Sequence, residues 1–236
     1  MVLPGLSLTI AAGETVALVG ENGSGKTTLV KLIAGLYRPD SGSILFDGHD
    51  IGDVEIASLH RQVAFVFQNF SQYEASAADN IAYGDWQNCR DERERVERIA
   101  REAGVHDMLA GMPEQYDTLL GRAFGTHELS RGQWQQLAVA RAYARRSALL
   151  ILDEATAALD AQAEYELFVR ADKLAKGRTT ILISHRFSSV KMADRILVMS
   201  EGRIVESGSH RELIDRGGHY ARLYGLHQRQ SGQEEA

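Results

Sequence analysis

Apolar and polar positions change period several times along the chain. Leu6, Leu8 and Ile10 alternate with Ser7 and Thr9, which predicts a half-buried strand over 6–10. Thr15–Val19 reads as a second strand, reached through Ala-Ala-Gly-Glu at 11–14. A glycine-rich loop follows, then a helical period from Lys26 to about Leu36. Ser43–Phe46 predicts a short strand ending in the turn Asp47-Gly48, and the apolar run Gln62–Phe67 predicts another. From about Tyr73 to Arg146 strand signals are few and helix dominates. Within it, Arg90–Glu102 reads as a solvated helix of paired charges, with Val96 and Ile99 its main apolar members. The β pattern returns after Ser147. Ala148–Leu152, Thr179–Ser184 and Arg195–Met199 are continuous apolar runs suited to strands covered on both faces. Helical periodicity resumes over Arg211–Leu226, and the polar tail Gln228–Ala236 is expected to fray.

Strands alternating with helices at both ends, around a helical block, predict an α/β fold. Its parts are a mainly parallel sheet, an N-terminal antiparallel β portion and an inserted α-helical lobe. The expected division is a core lobe, residues 1–72 and 147–236, and a helical lobe over about 73–146, in one domain. The length of 236 residues supports a real core without a disulfide or metal staple. The 26 basic and 32 acidic residues leave a net charge of −6, which argues against nucleic acid as a partner. A single cysteine, Cys89, excludes an intrachain disulfide and favours a reducing compartment. The longest strongly apolar run, Ala148–Leu152, is far too short to span a membrane. The apolar N-terminus lacks the basic start of a secretory signal, and Pro4 and Gly5 interrupt it.

The chemistry concentrates in two places. Gly20-Glu21-Asn22-Gly23-Ser24-Gly25-Lys26-Thr27 satisfies G-x-x-x-x-G-K-[ST] between a predicted strand and a predicted helix, the context a phosphate-binding P-loop requires. Gly23 and Gly25 let the backbone curl so that its N–H groups point inward at an anion. The helix N-terminus adds partial positive charge. Lys26 is placed for the β- and γ-phosphates, Thr27 for Mg²⁺ and Thr28 for the α-phosphate of a nucleotide such as ATP. The second place is the end of the apolar strand at 148–152, where Asp153 and Glu154 follow in succession. Asp153 would anchor Mg²⁺, through water, and Glu154 would polarise a water attacking the γ-phosphate. A lone Asp would serve the metal, so the added Glu argues for hydrolysis over nucleotide storage.

Leu129-Ser130-Arg131-Gly132-Gln133 resembles the Leu-Ser-Gly-Gly-Gln signature of ATP-binding cassette (ABC) proteins, and Trp134–Ala142 resembles the helix behind it. Gln68 resembles the family's Q-loop glutamine, Ala158-Leu159-Asp160 its D-loop, and His185 in Ile-Ser-His-Arg its switch histidine. The motifs occur in family order from about Leu6 to about Gln228. Asp153-Glu154-Ala155-Thr156, Ser184-His185-Arg186, Leu119–Phe124 and Gly202–His210 look like the bacterial exporter branch. The resemblance implies an ABC nucleotide-binding domain that closes head-to-tail with a second copy or a paralogue around two ATP molecules. Ser130 and Gly132 then act across the dimer on the γ-phosphate. Gln68 senses Mg²⁺ and the attacking water, and His185 holds the γ-phosphate. It also implies a transmembrane partner, as a separate chain or a missing N-terminal part, and a peripheral place on the cytoplasmic face of the membrane.

Three departures qualify the resemblance. The family stacks adenine on an aromatic residue upstream of the phosphate loop, but here no Phe, Tyr or Trp precedes Tyr37. Such stacking is worth about 1–3 kcal/mol elsewhere, so weaker and less adenine-selective binding is expected, as is a fragment of a longer half-transporter. Arg131 replaces a signature glycine, with activity expected to survive because Gly132 is retained. Glu128 lies directly against the signature, whereas exporters carry a Glu between Gly121 and the signature for contact with the membrane domain. Two other readings compete. A soluble ABC ATPase of translation or repair is disfavoured by the single cassette and the lack of heptads or a Cys cluster. A degenerate, non-hydrolysing interaction module is disfavoured by Lys26, Asp153, Glu154 and His185.

Overall fold

A computed structural model describes residues 2–121, 128–154 and 178–234, with side chains to residue 229. The main sheet uses β1 (Thr15–Val19), β4 (Val63–Val66), β7 (Leu149–Asp153), β8 (Thr179–Ile183), β9 (Arg195–Ser200) and β10 (Arg203–Gly208). Its six strands run in the order β10-β9-β1-β8-β7-β4. β1 lies parallel between β8 and β9, β7 lies parallel to β8, and β10 closes its edge antiparallel to β9. The continuous apolar runs explain the layering. Val16–Val19, Leu149–Leu152, Ile181–Ile183 and Ile196–Met199 are all buried, as strands covered on both faces must be.

The chain divides into two compact units. The first comprises Met1–Val63, Ala148–Glu154 and Gly177–Ala236; the second comprises Ala64–Ser147 and Ala155–Lys176. In the first, α1 (Lys26–Ile33) follows β1. It stops earlier than the expected Leu36 because Gly35 turns left-handed at φ 69°, and Leu36 N–H bonds back to Lys31 O at 2.9 Å. β2 (Leu45–Phe46) and β3 (His49–Asp50) form an antiparallel pair across Asp47 and Gly48, whose φ values of 49° and 81° suit a type I′ hairpin. α2 (Ile56–Gln62) leads to β4.

Three expectations need correction in this unit. Leu6, Leu8 and Ile10 are half-buried while Ser7 and Thr9 are exposed, as the alternation requires, yet 6–10 is not a strand. Alternation sets which side chains turn inward; a strand also needs a hydrogen-bonded neighbour. The helical pattern at Arg211–Leu226 is two helices, because Gly217 turns left-handed at φ 66° between α9 (His210–Arg216) and α10 (His219–Glu234). The tail expected to fray continues α10 to Glu234. α8 (Phe187–Val190) is a single turn after β8.

The second unit is mainly helical where described. It contains α3 (Ala77–Ala82), α4 (Trp86–Cys89), α5 (Arg93–Ala103), α6 (His106–Ala110) and α7 (Arg131–Ala144). α5 buries Val96 and Ile99, pairs Glu97 with Arg101 at 2.9 Å, and ends at Gly104 in the left-handed conformation. Two strands here escaped the pattern reading, as β3 and β10 did in the first unit: β5 (Ala75–Ser76) and β6 (Leu119–Leu120) pair antiparallel. Two residues are too few to show a period. Buried Asn80 organises this unit, donating to the carbonyls of Tyr73 and Ser76 and accepting from Arg141 at 3.0 Å.

Candidate functional site

The phosphate loop is built from backbone that only glycine tolerates. Gly20 ends β1 at φ 151°, where a Cβ would lie 2.2 Å from the Met199 carbonyl oxygen. Gly23 and Gly25 take φ values of 81° and 101°. Gly25 caps α1 without any side-chain hydrogen bond, and no acid lies in the first turn. The first N–H groups of that helix are therefore left for something other than a side chain. Gly202 N–H holds Ser24 O from behind at 3.1 Å. Glu21, Asn22 and Gly23 are exposed at the rim. Lys26 is buried, and its ammonium donates to Gly20 O at 2.7 Å and Glu21 O at 2.9 Å. Burial pushes its pKa down, opposed by the negative charges of Glu154 and Asp153. Thr27 is exposed and Thr28 half-buried.

Asp153 ends β7, buried to 4% exposure. Its carboxyl is held above the usual range by burial and then by Glu154, against Lys31, a hydrogen bond with Thr27, and Lys26. The next residue leaves the sheet sharply. Glu154 adopts φ 48°, a left-handed conformation that costs of order 1–3 kcal/mol for a residue with a side chain. Its N–H bonds Ile183 O at 3.0 Å. The turn aims its carboxylate at the loop after β8, where Glu154 Oε1 lies 2.8 Å from His185 Nε2. His185 is itself half-exposed.

The first unit thus gathers residues 20–28, Asp153, Glu154 and His185 into one cluster. Gln68 and the signature lie in the second unit. Gln68 is exposed just beyond β4. Leu129 is buried, while Ser130 and Arg131 are exposed and Gly132 and Gln133 half-buried. Ser130 is the N-cap of α7 in a closed capping box. Gln133 N–H donates to Ser130 Oγ at 3.2 Å, and Ser130 N–H donates to Gln133 Oε1 at 2.9 Å. Ala158, Leu159 and Asp160 lie outside the described residues, as do Ala155, Thr156 and 122–127.

Sequence reasoning missed how these groups hold one another. The Thr27–Asp153 bond and the Glu154–His185 pair were not anticipated, and neither was a pair of buried hydroxyls beside His185. Ser184 Oγ accepts from Arg186 N–H at 3.0 Å, and Ser189 Oγ donates to Arg186 O at 2.8 Å. The sequence places three serines around that histidine, Ser184, Ser188 and Ser189, and does not say which two pair.

A P-loop followed by a strand-end carboxylate pair and a contacting histidine, with a separate capped signature helix, defines a cassette for nucleotide phosphates. Residues 3–157 match the family described as ABC transporter, and the chain belongs to that family. Among curated proteins it is 48% identical over 225 residues to the ATP-dependent lipid A-core flippase of Syntrophus aciditrophicus, covering 95% of this chain and 37% of that protein. The ATP-dependent lipid A-core flippase of Pseudomonas aeruginosa is 44% identical over 225 residues, with 95% and 37% covered. Among solved structures, a bacterial Atm1-family ABC exporter with ATP bound superposes with a TM-score of 0.89 at 38% identity, covering 96% of this chain and 39% of that one. The chain therefore spans well under half the length of these relatives, and no helix among its described residues is long and apolar enough to cross a membrane.

Proposed function

We propose that this chain hydrolyses ATP and powers export as the nucleotide-binding part of an ABC exporter, at the cytoplasmic face of a membrane. The observation that carries the reading is the Glu154 carboxylate, turned out of the sheet and set 2.8 Å from His185 Nε2 in the same unit as the phosphate loop. Lys26 and the N–H groups of residues 20–28 hold the phosphates. Glu154 accepts the proton of the attacking water, and His185 orients the γ-phosphate as that charge moves. Gln68 reports the state of the site to the membrane part.

The Thr27 hydroxyl and the Asp153 carboxylate are hard oxygen donors, the set that suits Mg²⁺. Asp153 resists ionisation because it is buried beside Glu154, so a divalent cation would relieve an existing charge conflict. Bound with ATP, the ion would neutralise phosphate charge. Thr27 and Asp153 would hold it, Asp153 through water. The partners in this reading are a transmembrane domain and a second cassette, a like copy or a paralogue, whose Leu129–Gln133 segment closes the site. Export itself is inferred from relatives named as a flippase and an exporter.

The test is phosphate release by the purified chain and by Glu154→Gln. Turnover should fall by about 10²–10⁴-fold while ATP binding persists. A variant that hydrolyses like the unchanged chain would remove Glu154 from the chemistry. In light scattering, the same variant should form a dimer only with ATP and Mg²⁺.

A further inference from the structure

The His185 side chain is 49% exposed, so packing around the imidazole does not fix it. Among the described residues it pairs with Glu154, and the backbone on either side of it is held in place. That backbone is held with unusual thoroughness for a short loop. On one side is the hydroxyl pair: Ser184 and Ser189 are both buried, their Oγ atoms are 3.1 Å apart, and both engage the Arg186 peptide. On the other is Phe187, two residues beyond the histidine and 7% exposed. Its ring meets three rings on one face of α10 edge-on. Centroid distances are 5.5 Å to Tyr220, 5.3 Å to Tyr224 and 5.3 Å to His227. Rings meeting edge-on gain attraction beyond burial and fix a mutual orientation.

The platform is itself anchored to the sheet. Glu206 of β10 accepts from His219 N–H at 2.8 Å and Tyr220 N–H at 2.9 Å, at the start of α10. Tyr220 is fully buried, and its hydroxyl lies 2.7 Å from His210 Nδ1. A path of direct contacts therefore runs from β10 through the C-terminal helix to Phe187, which lies two residues along the backbone from His185.

We propose that α10 is a positioning element for the Glu154–His185 pair, acting through Phe187, with Tyr224 the positioning residue that can be changed without opening the core. This deepens the functional reading above and rests on it. A catalytic group displaced by about 1 Å loses rate on the order of 10²-fold, so removing the Tyr224 ring should lower kcat while leaving the phosphate loop, and hence ATP affinity, alone.

The experiment uses the full chain with Tyr224→Ala, Tyr224→Phe and His185→Ala. One arm is steady-state hydrolysis. Tyr224→Ala should lose roughly 10–100-fold in kcat with KM for ATP within about twofold, Tyr224→Phe should restore the rate, and Tyr224→Ala should add little once His185→Ala is present. The other arm needs no turnover. The His185 ring resonances, assigned by their loss in His185→Ala, should shift or broaden in Tyr224→Ala and return in Tyr224→Phe. A folded Tyr224→Ala chain with unchanged ring resonances overturns the proposal. So does an equal loss of kcat with and without His185. Phe187→Leu provides the same two readouts should Tyr224→Ala fail to fold. An unchanged chain without hydrolysis would defeat the functional reading, and the resonance arm would still decide whether α10 positions His185.

Discussion

Helix α1 begins at Gly25 with no side-chain cap and no acid in its first turn, whereas α7 begins at Ser130 inside a closed capping box. Both lie in motifs that the proposed function directs at phosphate. The first keeps its N–H donors open. The second caps its third N–H, but with neutral groups: Ser130 Oγ accepts from Gln133 N–H, so its hydroxyl proton remains available to donate. A third helix shows what the neutral choice avoids. α9 carries the same box built from Ser209 and Glu212, whose carboxylate accepts from Ser209 N–H at 2.8 Å and cancels the positive end of its helix. One local motif thus serves two electrical purposes. A glutamine at the third position caps while leaving the helix end attractive to an anion; a glutamate caps and repels one.

The comparison can be broken most forcefully at α1. Gly25→Ser would put a side chain at φ 101°, with a Cβ 2.7 Å from Leu3 Cδ2. The left-handed backbone costs of order 1–3 kcal/mol with a side chain, so a fall of roughly 10–100-fold in ATP affinity is expected in a nucleotide titration. Unchanged affinity would mean that the open N-terminus of α1 is not the phosphate cradle. Gln133→Glu exchanges the α7 box for the α9 kind. Melting temperature should hold, while the ATP-dependent dimer of a Glu154→Gln chain should weaken by about tenfold, as a carboxylate meets phosphate across the interface. Equal dimerisation with either residue would show that the electrical difference is incidental.

Two smaller effects sharpen the contrast. Ser130→Ala removes the cap and should cost about 1 kcal/mol, lowering the melting temperature by roughly 2–4 °C. With no ionisable group in that box, the loss should be equal at pH 4 and pH 7. Glu212→Gln tests the ionisable box. Hydrogen bonds from Ser209 hold the Glu212 carboxyl below its usual value. Its contribution is therefore complete above about pH 4.5, the unfolded range, and disappears as pH falls through the lowered folded value. The variant should be slightly less stable than the unchanged chain at pH 7 and equal to it in acid, by thermal melts across pH. The effect will be slight, because Glu212 is fully exposed.

Legibility followed the range of the interactions. Residues 20–28 could be read directly, because a phosphate loop needs its glycines, lysine and hydroxyls in one short run. The buried parallel strands were equally legible, because a strand covered on both faces has to be apolar throughout. The signature helix was read through the resemblance of Leu129–Gln133 and Trp134–Ala142 to the family's motif. Segment 6–10 misled because alternation is necessary for a strand and not sufficient for one. β5 and β6 were invisible because a pair of residues carries no period. The break at Gly217 was written in the sequence, yet the helical pattern ran through it on either side.

Sequence alone determined the family, the order of the motifs and the residue types on which the chemistry depends, since each is a property of a contiguous stretch. Tertiary structure decided which of those residues touch. Glu154 and His185 meet because β7 and β8 pair in the register that sets Asp153 opposite Ile183, with Glu154 N–H bonded to Ile183 O. A shift of one residue would turn the next side chain to the other face of the sheet. The bearing of α10 on Phe187 is of the same kind. Nothing local in Phe187, Tyr220, Tyr224 or His227 announces that their rings meet, because the chain must pass through β9, β10 and α9 before it returns to place them together.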